Sequence, residues 1–199
     1  PIAEGGSGDL SPTTYVRPVA APYRVTEGEP QWIGRSLLEA YSLEVDVTVT
    51  RVVETESPIH LDLLSTRVAS LWGSRAGSRI VDCIRTSIGR CATQGKVEVR
   101  GEFAWAPQRA VVARSRAEVV NPPAEHIAPE EYREAVLQIL RGGATLAREQ
   151  LVAEVRTLLG FSRTGARLER QIATAIDGLM IDGLIGEGST GIGARVGNS

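Results

Sequence analysis

The chain has 199 residues, of which 42% are hydrophobic and 23% charged, and its formal net charge is −2. These values are typical of a globular protein and argue against an indiscriminate binder of polyanions. No apolar run approaches the ~18 residues of a membrane span, and residues 1–10 lack the basic end and apolar stretch of a signal peptide. We therefore expect a cytoplasmic protein without membrane contact. Since no initiator methionine is present, we also expect a piece of a longer chain or a processed one.

The charge is distributed unevenly along the chain. Residues 1–57 hold four basic and nine acidic residues, whereas residues 60–100 hold seven basic and three acidic ones. Residues 145–185 hold five of each. The middle of the chain is thus the positive part of an otherwise mildly acidic protein, and it is the part best suited to an anionic partner.

Two stretches of the chain share one pattern, SRAGSRIVDCIRTSI at 74–88 and SRTGARLERQIATAI at 162–176. Each has Arg-x-Gly-x-Arg followed by an apolar residue at every fourth position. A repeat of this length indicates that one supersecondary unit occurs twice. The sequence therefore predicts two copies of a small helical module.

Residues 1–42 predict an extended N-terminal arm. Residues 1–31 are rich in Gly, Pro, Ser and Thr and show no periodicity, and residues 33–41 could make a short helix or turn. The large aromatic residues of the arm are expected to anchor it on the folded body: Tyr15, Tyr23 and Trp32.

The stretch LEVDVTVTRVVETE at 43–56 is ambiguous. Strict alternation at Val45, Val47 and Val49 favours a strand. The matching part of the repeat, PEEYREAVLQILR at 129–141, has a helix-initiating Pro and helical spacing of its apolar residues. The repeat therefore favours a helix, although β-branched residues lower its propensity by a few tenths of a kcal/mol each.

The remainder of the first module, 43–107, has a regular order. A short strand at Ile59–His60 precedes helices at 62–72 and 78–93, and KVEVRGEFAWA alternates around Gly101 as a β-hairpin does. Three helices followed by a hairpin are typical of a winged helix-turn-helix.

A connector at 108–127 is basic in its first half, through Arg109, Arg114 and Arg116, and proline-rich in its second. The second module, 128–190, repeats the order with helices at 129–141, 148–159 and 165–182 and a degenerate wing, and 191–199 is expected to be a flexible tail. The predicted fold class is therefore mainly α with small β wings, built as tandem winged helix-turn-helix modules.

Several long motifs resemble a known family: SPIHLDLLSTRVASLWGSRAGSRI, GEFAWAP, ARSRAE, APEEYREAVLQIL and GFSRTGARL. Over roughly residues 43–186 the chain is similar to an uncharacterised bacterial domain. That domain lies at the C-terminus of large proteins that join superfamily 1 helicase segments to a restriction-endonuclease-like nuclease. The resemblance implies a role in nucleic-acid processing, with helicase and nuclease segments of the same parent protein as partners. It implies no active site.

No catalytic set is visible in the sequence. The phosphate-loop pattern is absent, and His60 and His126 have no cysteine or second histidine near them along the chain, so no zinc-type spacing exists. His60 is expected to be a packed or capping residue, and Cys83 and Cys91 to be small, buried or half-buried residues without a disulfide. The sequence thus predicts no enzymatic activity, no cofactor and no metal site in this chain.

The Arg-x-Gly-x-Arg turns are the candidate with a mechanism. In a helix-turn-helix the third helix enters the major groove with its N-terminal residues near the bases, and its backbone N–H groups favour phosphate. The predicted nucleic-acid contacts lie at these helices and on the wing: Arg75, Arg79, Arg85, Arg90, Lys96, Arg100, Arg163 and Arg167.

A structural role is the alternative. Gly77 and Gly165 would then supply positive φ angles, and the arginines would cap helix ends or pair with acids on neighbouring helices. The function would then be protein–protein interaction or assembly, with self-association as one form, rather than nucleic-acid binding. Exposure separates the two: a continuous basic stripe that includes the connector arginines favours DNA, and burial in ion pairs favours interaction.

Overall fold

The structure is a computed structural model that describes residues 15–28, 36–40, 42–119, 122–163 and 165–195. It is mainly helical, with small β-sheets. No helix in these ranges is long and apolar enough to cross a membrane. Trp32, one of the three predicted anchors, lies outside the described residues.

The first module contains three α-helices and a three-stranded antiparallel sheet. Its elements are α1 (Ser42–Glu56), β2 (Ile59–His60), α2 (Leu61–Leu71), α3 (Ser78–Thr93), β3 (Glu98–Arg100) and β4 (Phe103–Trp105). The strands are hydrogen-bonded in the order β2-β4-β3. The hairpin β3–β4 turns at Gly101, whose φ is +56°, as its position in the alternating pattern predicted.

Residues 42–56 form a helix, as the internal repeat predicted. The alternating valines had favoured a strand. Val45, Val49, Val52 and Val53 are each at most 1% exposed and line the first hydrophobic core, whereas Val47 is 46% exposed. Burial of four valines on one face, at roughly 1.5 kcal/mol or more each, outweighs the helix propensity that β-branching loses.

The second module repeats the three helices and ends in a hairpin: α4 (Pro129–Leu140), α5 (Arg148–Leu158), α6 (Ala166–Ile181), β6 (Ile185–Gly188) and β7 (Gly191–Ala194). The prediction of a flexible tail from residue 191 is wrong for β7. Ile192 is 1% exposed and exchanges two backbone hydrogen bonds with Leu146, at 2.8 and 3.1 Å. One buried apolar side chain thus holds an otherwise glycine-rich strand in place.

The N-terminal arm and the connector meet side by side. Strand β1 (Ala21–Pro22) pairs in parallel with β5 (Arg114–Ser115). Tyr23 is buried and donates its hydroxyl to the Glu56 carboxylate at 2.7 Å. Tyr15 donates to Glu154 at 3.2 Å. Both tyrosines therefore anchor the arm, as predicted, one on each module.

The glycines of the repeated turns do not have the role that the structural alternative gave them. Gly77 and Gly165 are the N-caps of α3 and α6, with φ of −75° and −87°. The positive φ angles occur at the ends of the preceding helices, at Gly73 (+61°) and Gly160 (+84°). A side chain at Gly160 would also collide with the connector backbone, since its Cβ would lie 2.4 Å from the Ala117 nitrogen.

Candidate functional site

The start of α3 exposes two arginines that have no ion-pair partner among the residues that the structure describes. Arg75 lies in the turn before the helix and Arg79 in its first turn. Gly77, as N-cap, has no side chain with which to bind the first backbone N–H groups. Two free guanidinium groups therefore flank a helix end whose amides remain available to an anion.

The exposed face of α3 continues this surface with one acid and several short side chains. Beyond Arg79 it presents Asp82, Arg85, Thr86, Gly89 and Thr93. Arg85 contacts Asp62 of α2 at 3.3 Å, but both side chains are about 60% exposed. Exposed ion pairs of this kind contribute little to stability. Short residues at 86, 89 and 93 allow a large partner to approach the helix backbone closely.

Arg90 is turned inward rather than outward. Its guanidinium binds the Asp46 carboxylate of α1 at 2.7 and 3.2 Å, and Ser87 donates to the same carboxylate at 2.5 Å. Burial acts to raise the pKa of Asp46, but the hydrogen bonds from Arg90 and Ser87 outweigh it and hold that pKa below its usual value. Arg90 thus joins α3 to α1 through this ion pair.

The two predicted wing residues follow α3 along the chain. The 16 residues of α3 span roughly 24 Å, and Lys96 comes after its C-terminal end, so Lys96 is separated from Arg75 by the length of the helix. Lys96 is exposed and makes no salt bridge within the described part of the chain. Arg100 binds Glu98 and lies over the Trp105 ring, 4.9 Å from its centroid. Lys96 is therefore a second basic position, apart from the pair Arg75 and Arg79.

The corresponding turn of the second module is less available. Arg163 is exposed and has no ion-pair partner in the described ranges, whereas Arg167 binds Glu125 at 2.7 Å. The exposed face of α6 also carries Glu169 and Asp177, the latter bound to Arg148 at 2.6 Å. Arg170 on the same helix is exposed as well, so the exposed face of α6 mixes acidic and basic groups.

Two of the connector arginines are buried. Arg114 and Arg116 both bind the Glu131 carboxylate of α4, at 2.6–3.3 Å and 2.8–3.0 Å. Arg114 also donates to the carbonyls of Glu56, Ser57 and Pro58. Their side chains are 8% and 3% exposed, and that of Glu131 is fully buried. The sequence left open whether the connector arginines are exposed in a basic stripe or buried in ion pairs. Arg114 and Arg116 are buried in ion pairs and join the two modules internally, which is the outcome that favours protein interaction.

The Glu131 carboxylate stays charged in this interior. Burial acts to raise its pKa, but the charges of Arg116 and Arg114 and their hydrogen bonds outweigh it, so the pKa lies below its usual value. The sequence indicated only an acid suited to the first turn of a helix. Nothing in the local pattern signals that its partners lie 15 and 17 residues upstream.

A histidine cluster is also visible only in three dimensions. The rings of His60 and His126 stack with centroids 4.0 Å apart and an interplanar angle of 10°. His60 is the N-cap of α2, and its Nδ1 accepts from the Asp62 amide at 3.2 Å. The prediction that His60 is a packed or capping residue is thus confirmed. The two histidines, 66 positions apart along the chain, are neighbours in the fold.

This cluster lies at one end of an open groove of about 990 Å³, lined by the arm, α2 and the connector. Asp62 and His126 belong to its lining, together with apolar residues such as Val25, Leu63 and Pro122. Cys83 and Cys91 are free thiols, half-buried and buried, as the sequence predicted.

Residues 35–82 match the model of a family described as a protein of unknown function (DUF3320). The match includes α1, α2 and the Arg75–Arg79 turn. It confirms, for this stretch, the resemblance to an uncharacterised domain. Comparisons with curated proteins and with solved structures gave no match.

Proposed function

We propose that the first module is a winged helix that binds nucleic acid, with DNA as the expected form, and that the chain is a non-catalytic accessory domain of a helicase–nuclease protein. The order of three helices followed by the hairpin β3–β4 supports the winged-helix assignment. The resemblance over residues 43–186 supports the association with helicase and nuclease segments.

The observation that carries the proposal is the free pair Arg75 and Arg79 at the N-terminus of α3. Most other predicted contacts have acidic neighbours. These two cations are exposed, and within the described ranges they have no ion-pair partner and the N-cap of the helix beside them offers no side-chain hydrogen bond. Phosphate is the anion that such a combination binds best, because the guanidinium forks and the backbone N–H groups both donate to its oxygens. Arg85 extends the same surface, and Lys96 supplies a second backbone contact at the far end of the helix.

The test is fluorescence anisotropy of a labelled duplex and of its single strand, at low salt and as salt rises. A surface with two to four phosphate contacts should give a slope of roughly −2 to −4 in log K against log salt. Arg79→Glu should weaken binding about ten-fold or more and make the slope shallower.

Arg163→Glu is the matched control, because it reverses the same charge at an exposed turn of the second module. It should change affinity by less than about two-fold through the general field alone. Absence of binding at low salt, or equal losses for Arg79→Glu and Arg163→Glu, would contradict the proposal.

Protein–protein interaction is the second candidate function. It is favoured by the groove of about 990 Å³ and by the internal use of Arg114 and Arg116, which removes charge from the DNA-facing surface. Self-association measured by light scattering, without any salt-sensitive DNA binding, would support this function over the first.

A further inference from the structure

The stacked histidines bring together ligand groups from distant parts of the chain. One ligand atom each from His60, Asp62 and His126 lies within 4.8 Å of the other two. His60 and Asp62 flank the start of α2, and His126 comes from the short 3₁₀ helix Ala124–His126 that precedes α4. Tertiary packing alone therefore creates this constellation.

The contacts of His60 fix which of its two ring nitrogens carries the proton. Its Nδ1 accepts from the Asp62 amide, so the lone pair of the neutral ring is on Nδ1, on the side where the Asp62 carboxylate lies 3.9 Å away. The opposite nitrogen, Nε2, carries the proton and faces the Glu102 carboxylate at 3.6 Å. Metal-binding histidines commonly place a carboxylate behind the other ring nitrogen in this way, which fixes the tautomer and strengthens the ligand.

We propose that His60, Asp62 and His126 bind a divalent transition-metal ion of the zinc class. Two imidazole nitrogens and one carboxylate oxygen are a ligand set that zinc accepts in tetrahedral geometry, with the fourth position open to water or to a group in the groove. The ion would be held between the first module and the segment that leads into the second.

Closing the site requires side-chain movement. The two stacked rings have to tilt, because an imidazole nitrogen binds a metal in the plane of its own ring and the two planes are now nearly parallel. Ligands about 2.1 Å from a tetrahedral zinc ion lie roughly 3.4 Å apart, so the present 4.8 Å limit has to shrink by up to about 1.4 Å. Asp62 is 60% exposed and held only by the surface contact with Arg85, and His126 is half-buried beside the groove. Both side chains can therefore turn toward the ion, which displaces the weak hydrogen bond at His60 Nδ1.

The groove, which His126 and Asp62 line, supplies the entry path that a metal site requires.

The test uses the full chain without a polyhistidine tag, treated with chelator and titrated with Co²⁺ by absorption and with Zn²⁺ by calorimetry. We expect one ion per chain, visible d–d bands of a nitrogen–oxygen site, and a Zn²⁺-dependent rise in melting temperature. His126→Ala and Asp62→Asn should each weaken binding at least ten-fold. Asp62→Asn keeps the backbone amide that caps on His60, so its folded state is preserved.

Glu118→Gln is the control, because Glu118 lines the same groove outside the cluster, and its affinity should equal that of the unchanged chain. Unchanged binding in both His126→Ala and Asp62→Asn would overturn the proposal. So would an intense near-ultraviolet band of thiolate ligation, which would assign the ion to Cys83 or Cys91, or the absence of saturable binding. None of these results depends on DNA binding.

Discussion

Both modules have the same order of three helices, and in both an ion pair joins the first helix to the third. The acid and the base of that pair have exchanged helices between the modules. In the first module, Asp46 on α1 binds Arg90 on α3 at 2.7 Å. In the second, the basic partner is on the first helix, since Arg133 on α4 binds Asp182 at the end of α6 at 2.5 Å. The same helix pair is thus bridged with reversed polarity.

A glycine lies beside the Arg133 side chain. Gly178 occupies the position in the repeat that corresponds to Arg90, and a Cβ there would lie 2.9 Å from Nη1 of Arg133. The cation of this pair is thus on α4 in the second module, and the exposed face of α6 carries both acids and arginines. The difference shows how two copies of one fold diverge in charge without a change in the helical core.

The interiors differ as well. The first module buries polar or charged side chains among its helices and their junctions, at Glu44, Asp46, Thr48, Glu56, Ser57, His60, Ser65 and Ser87. Among the described residues of α4, α5 and α6, Glu131 is the buried charge, and its partners come from the connector. The second core therefore depends on apolar packing, and the first on polar networks that also hold the arm.

The largest expected effect is that of Glu131→Gln. The substitution leaves Arg114 and Arg116 buried without a counter-charge, and we expect the free energy of unfolding to fall by about 3–5 kcal/mol. Chemical denaturation followed by circular dichroism measures it. Glu130→Gln is the neighbouring control, since Glu130 is exposed, and it should change stability by no more than about 0.5 kcal/mol. Equal effects would show that the buried pair does not join the modules.

A smaller effect should separate the two interhelical ion pairs. Asp46→Asn disturbs a carboxylate whose side chain is 6% exposed, and we expect a loss of about 1.5–3 kcal/mol, the range for buried hydrogen bonds to a charged group. Asp182→Asn disturbs an exposed pair and should lose less than about 1 kcal/mol. The reverse order in denaturation would contradict the contrast between a buried and an exposed bridge.

The smallest expected effect is the change with pH in the free energy of unfolding that Asp46→Asn loses. Because its folded pKa lies below the unfolded value, Asp46 stabilises the fold above the ordinary aspartate range, near pH ~3.9, and the contribution disappears as pH falls through the folded pKa. The stability difference between the unchanged chain and Asp46→Asn should therefore be constant at neutral pH and shrink below about pH 4. A difference that persists in acid would assign it to packing rather than charge.

Helical periodicity and the internal repeat were sufficient to predict the helices α1 to α6, but not the strands β1, β5 and β7. They placed α1 correctly despite its alternating valines, because the apolar positions of both copies match only at helical spacing. They also placed the hairpin at Gly101. Element identity is a local property, in which side-chain spacing selects the backbone period.

The tertiary structure determined which charged side chains are exposed, which are buried, and which partners they bind. Nothing in the local sequence distinguishes Arg79 from Arg116. Arg79 is exposed to solvent, whereas the Arg116 side chain is only 3% exposed and is bound to Glu131. His60 and His126 have unremarkable neighbours along the chain and stack at 4.0 Å in the fold. A charge or an imidazole acquires its role from partners that packing supplies over long chain separations, and no local pattern encodes those partners.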